Sequence, residues 1–110
     1  MPEKNSTETA RGTARLVYNT RTGRTTVTLT VRGLKARSSH AAHIHLDSCD
    51  GPIAYTLNNV VANRGGVGFS RTVLRTRINT TKWWINVHRD PKLPSPGIVC
   101  GKVVATKYSR

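Results

Sequence analysis

A chain of 110 residues is one domain's worth, with material for a single modest core. Eighteen Lys and Arg stand against five acids, a formal charge of +13, which favours anionic partners from small ions to polyanions. No run of eighteen apolar residues occurs, which excludes a membrane-spanning helix, and "MPEKNSTETARGT" is too polar for a signal peptide. The chain is then either cytosolic or a mature form from which an export signal has been removed.

Residues 1–10 are polar and read as a flexible N-terminal segment, leaving 11–110 as the single domain. "TARLVYN" alternates and runs into a glycine-bearing turn, "TRTGRT". In "TTVTLTVRGL", Val27, Leu29 and Val31 share one face and Thr26, Thr28 and Thr30 the other, so the two segments predict a β-hairpin. "HAAHIHL" predicts a strand and "DSCDGP" a turn. "IAYTLNNVVA" is extended, with its double asparagine blurring the alternation. "NRGG" breaks the chain before the strand "VGFSRTVL". "KWWINVHR" carries strong β formers. "DPKLPSPG" is a proline loop, and "IVCGKVVATK" a last strand. No helical periodicity and no internal repeat is present. Short strands with turns between them predict an all-β fold, an antiparallel Greek-key sandwich or flattened barrel.

Three of the four histidines fall within residues 40–45. Alternation puts Ala42, Ile44 and Leu46 on the core face, so His43 and His45 point away from it, roughly 7 Å apart at Cα. In "KWWINVH", Trp83, Ile85 and Val87 form the apolar face; Trp84, Asn86 and His88 point outward, Trp84 as a candidate for exposed apolar surface. If the two strands are neighbours, His43, His45 and His88 form a metal site on the outer face. His40 shares parity with Ile44 and points inward, as a hydrogen-bonded structural residue, unless a bulge at Ala41 intervenes. Three imidazoles without thiolate or carboxylate suit copper or zinc. An open three-histidine zinc site would want a general base, and no glutamate stands near. The bland alternative is an exposed histidine pair with no metal.

The two cysteines, Cys49 and Cys100, are either one long-range disulfide, worth roughly 4 kcal/mol on the chain-entropy model, or two unrelated buried thiols.

"HAAHIH", a following cysteine, "INVH" and "IVCGKVVAT", in that order, resemble the copper,zinc superoxide dismutase family over roughly residues 12–107. "HIHLDSCDGPI" and "WWINVHRDPKLPSPGIVCGKV" are similar to the CHRD domain, so the chain looks like a CHRD-like domain with a dismutase-like cysteine pair. The resemblance implies a superoxide dismutase-like β-sandwich. It implies that His43, His45 and His88 ligate copper, that His40 is a structural histidine, and that Cys49 and Cys100 form a disulfide. It also implies export, to the periplasm, the cell surface or the medium. Departures follow the same alignment. No histidine lies between His45 and His88 to bridge two metals, and the zinc loop is missing, so zinc is not expected. The dismutases' anion-guiding arginine, three residues before the terminal-strand cysteine, is here Gly97; Arg89 is the candidate substitute. The expected function is an exported domain that holds one copper for copper handling or weak superoxide chemistry. The alternatives are a copper-only superoxide dismutase and a metal-free basic module for adhesion or polyanion binding. No residue is assigned a catalytic role.

Overall fold

The computed structural model describes residues 10–78, 82–102 and 107–109. Residues 1–9, most of the expected flexible segment, lie outside these; Ala10 is fully buried in the core. Eight strands follow one another: β1 (Arg11–Asn19), β2 (Arg24–Arg32), β3 (Ser39–Leu46), β4 (Ile53–Ala62), β5 (Gly68–Leu74), β6 (Trp83–His88), β7 (Gly97–Lys102) and β8 (Lys107–Ser109). No helix occurs among the described residues.

The β1–β2 hairpin closes as its turn chemistry demands. Asn19 Oδ1 accepts the backbone N–H groups of Arg21 and Thr22, and Gly23 supplies a φ of 70°. The spatial order is β7-β6-β3-β4-β5-β2-β1-β8. All pairings are antiparallel except that of β1 with the short β8, which is parallel. β3, β4 and β5 are consecutive neighbours, and β6 returns to lie beside β3, which is a Greek key. The sheet curls into a half-barrel, bringing β1 over β7: a Cβ added at Gly12 would stand 3.3 Å from a methyl of Val99.

Inside the curl lie Leu16, Val27, Leu29, Val31, Ile44, Leu57, Val60, Ile78, Ile85, Val87 and Val99. Fully burying each such side chain contributes roughly 1.5–3 kcal/mol. The expected faces of β2, β3 and β6 are the observed ones, because alternation is a property of the strand itself.

The doubled asparagine marks a real irregularity. His40 pairs with Val60 and Ala42 with Leu57, so Ala41 alone on β3 faces two residues of β4, Asn58 and Asn59. The inward series on β4 therefore shifts from Tyr55 and Leu57 to Val60 and Ala62. The bulge is held by its own bonds: Asn58 N–H donates to Thr72 Oγ1, Asn58 Nδ2 to the Arg71 carbonyl, and Ser70 Oγ to the Asn58 carbonyl. Because the bulge is on β4, the alternation of β3 itself is unbroken.

Candidate metal centre

The Greek-key return of β6 decides the site. β6 pairs with β3 in antiparallel register, His43 opposite Asn86 and His45 opposite Trp84. His88 lies two residues beyond Asn86, on the same face. The three rings form a triangle, with centroids 5.8 Å (His43–His45), 5.2 Å (His43–His88) and 5.9 Å (His45–His88) apart. One nitrogen from each ring lies within 4.8 Å of the other two, so the three can hold one metal ion.

One expectation needs correcting. These histidines face away from the core, yet they are buried, each 5–6 % exposed. Two loops fold over that side of the sheet. The β3–β4 loop delivers the carbonyl of Gly51 to His45 Nδ1 at 2.7 Å, and the β6–β7 loop delivers the carbonyl of Ser95 to His88 Nδ1 at 2.9 Å. Strand alternation tells which face a residue is on; it does not tell what covers that face. Trp84, on the same face, is half-buried rather than free apolar surface.

Both loops are pinned. The first is tied to β7 by a Cys49–Cys100 disulfide, with Cα atoms 6.1 Å apart. Asn86 Nδ2 also donates to the Cys49 carbonyl at 2.9 Å. The second is closed by Arg89 N–H on the Pro96 carbonyl, by Asp90 N–H on Ser95 Oγ, and by Ser95 Oγ donating to Asp90 Oδ2 at 3.0 Å. The Ser95 hydroxyl and the Arg89 guanidinium hold the Asp90 carboxyl below its ordinary value.

These contacts select the ligand atoms. A carbonyl accepts only from a protonated nitrogen, so Nδ1 of His45 and of His88 carries the hydrogen and Nε2 bears the lone pair. This is the outer-shell pattern of metal-bound histidine. His43 differs: its Nδ1 is buried and has no hydrogen-bond partner, and the same is true of His45 Nε2. A buried polar atom left unmatched costs roughly 1–3 kcal/mol, and a metal ion would satisfy both. Burial, and then the neighbouring His88 and His45, lower the pKa of His43, which keeps its imidazole neutral and able to donate a lone pair.

His40 is 4 % exposed and stands apart from the triangle. Its Nε2 is 2.7 Å from Ser38 Oγ and its Nδ1 2.8 Å from the carbonyl of His88, so both ring nitrogens are engaged and it braces the end of β6. Arg89 is exposed and pairs with Asp90 at 3.3 Å. Gly51, Ser95 and Asn86 were not foreseen as parts of the site. For Asn86 a signal existed, since its parity is that of His88; the two carbonyls belong to loops and left none.

The model of the CHRD domain matches residues 1–92, a span that holds all four histidines and Cys49 but stops short of Cys100. No curated protein matches the chain.

Proposed function

The chain belongs to the CHRD domain family, and from that premise we propose that it is an exported copper-binding domain, with one copper held by His43 Nδ1, His45 Nε2 and His88 Nε2. The observation that carries this reading is the buried triangle of imidazoles, with two rings oriented by carbonyls on their far side. The donor set favours copper over zinc: three nitrogens, no thiolate and no carboxylate among the described residues of the cluster, on a scale where Cu(II) outranks Zn(II). The disulfide fits an oxidising compartment.

Bound copper would supply a one-electron redox couple. The protein's part is to present three neutral imidazoles in a fixed triangle and to shield them beneath two pinned loops. The resemblance to superoxide dismutases supports a copper-only dismutase as the enzymatic version of this reading. Two features favour copper handling over fast dismutation. No histidine lies between His45 and His88. The position of the guiding arginine is Gly97, where a Cβ would stand 2.5 Å from Asn86 Oδ1, so a side chain there would displace Asn86 from the Cys49 carbonyl.

The test is calorimetric titration of the oxidised, metal-free protein with Cu(II) and with Zn(II), repeated on His88→Ala. One equivalent of copper with sub-micromolar affinity is expected, weakened by roughly a hundredfold or more in the variant. Copper binding indifferent to His88 would overturn the site. Superoxide consumption by the copper form, falling steeply with salt, would select the enzymatic version.

A further inference from the structure

The basic residues are not spread evenly over the folded chain. On the outer face of β1, β2 and β5 the register builds a repeating lattice. Arg11 pairs with Arg32, then Thr13 with Thr30 and Phe69 in line, then Arg15 with Thr28 and Arg71, then Val17 with Thr26 and Val73, and last Asn19 with Arg24. Val61 of β4 extends the second row beside Phe69. Arg11, Arg15, Arg24, Arg32 and Arg71 are all exposed, as is Phe69 at 54 %. None of the five arginine side chains makes a hydrogen bond or ion pair among the described residues. The described acids, Asp47, Asp50 and Asp90, all lie in the two loops that cover the histidines. Among the described residues this half of the outer surface therefore carries cations and no acid, with arginine rows recurring about every 13 Å along the strands.

We propose that this face binds a linear acidic polysaccharide, the arginines taking its carboxylate or sulfate groups and the threonine hydroxyls between them its sugar hydroxyls. Arginine presents a fork suited to planar or tetrahedral oxyanions, and the five guanidinium groups on this one sheet face have no hydrogen-bond or ion-pair partner among the described residues. The hydroxyls of Thr13, Thr30 and Thr26 lie in the rows between the charged ones, and that of Thr28 sits between Arg15 and Arg71. A single-stranded nucleic acid fits less well, because base stacking needs successive aromatic rings and Phe69 is the sole aromatic in the lattice. Reading a duplex would need a helix or ribbon entering its groove, and this surface is the outer face of a curled sheet. A second copy of the chain would set arginine rows against arginine rows.

The experiment measures binding of the metal-free protein, with EDTA present, to heparin, to alginate and to single-stranded DNA at matched salt. The variants are Arg15→Glu/Arg71→Glu, the milder Arg15→Gln/Arg71→Gln, and Lys82→Glu/Lys92→Glu as an equal charge change elsewhere. Folding of each is checked by its thermal transition. The expected result is a loss of at least roughly tenfold for the Arg15/Arg71 pair, with the logarithmic salt slope reduced by about two, and less than about twofold for the Lys82/Lys92 pair. His88→Ala should bind as the wild type does, which separates this face from the metal site. Equal loss in both charge-matched pairs, no loss in either, or tighter binding of DNA than of both polysaccharides overturns the proposal.

Discussion

At His43 two demands meet. The ring is buried beside two other imidazoles, so its protonated form is disfavoured and its pKa lies below the ordinary histidine value. In the unfolded chain it titrates near 6.5. Between that value and its lower folded one, the unfolded state binds more protons. The stability associated with His43 is thus complete above about pH 6.5 and is lost as pH falls through the folded value. Urea unfolding of the metal-free protein from pH 8 to pH 5 should show this decline, and His43→Gln should flatten it. Copper affinity should weaken over the same range, because a ligand nitrogen must first lose its proton. Ser95 acts one step further out. Its carbonyl orients His88, while its hydroxyl clamps the loop to Asp90. Ser95→Ala keeps the carbonyl and loosens the clamp, so copper affinity should fall by about tenfold with little change in the thermal midpoint.

Among the elements, β4 and β7 carry the constraints that the histidine strands do not. The bulge on β4 lets Leu57 and Val60 both reach the core across three residues, and Thr72 takes the Asn58 N–H that the bulge leaves unpaired in the ladder. Thr72→Val removes that acceptor at a buried position and should cost about 1–3 kcal/mol in denaturant unfolding, with the fold retained. On β7, Gly97 is required by closeness rather than by backbone conformation, since Asn86 fills the space beside it. Asn86 is 1 % exposed and cannot swing into solvent. Gly97→Ala should therefore destabilise by about 1–3 kcal/mol. It should also weaken copper binding, by disturbing the loop that Asn86 holds at Cys49.

For the whole molecule, the disulfide and the curl of the sheet work together. Cys49 and Cys100 are separated by 51 residues, and a closure of that length restricts the unfolded chain by about 4 kcal/mol. The same bridge fastens the loop that carries the Gly51 carbonyl to His45. Replacing both cysteines by serine should lower stability by that order and weaken copper binding as well, both read on the purified protein in unfolding and calorimetric experiments. Charge divides the outer surface in two: the described acids gather over the histidine half, and the arginine lattice occupies the β1–β2–β5 half. A small anion would meet a surface with a built-in asymmetry, which net charge alone does not reveal.

Much of this architecture is legible in one dimension. The period-2 pattern gives the first six strands nearly to the residue and assigns Val27, Leu29, Val31, Ile44, Ile85 and Val87 to the core. It also puts His43, His45 and His88 on the opposite side, because each side chain's direction follows from its own strand. What alternation lacks is any statement about partners. That β6 lies beside β3, that the loops fold back over the histidines, and that two carbonyls orient their rings all depend on contacts between residues far apart in the chain. The β4 bulge and the parallel β1–β8 pairing have the same origin, as does the gathering of five arginines onto one face. Local sequence sets which way a side chain points; only the pairing of strands, closed by long-range bonds, decides what it meets there.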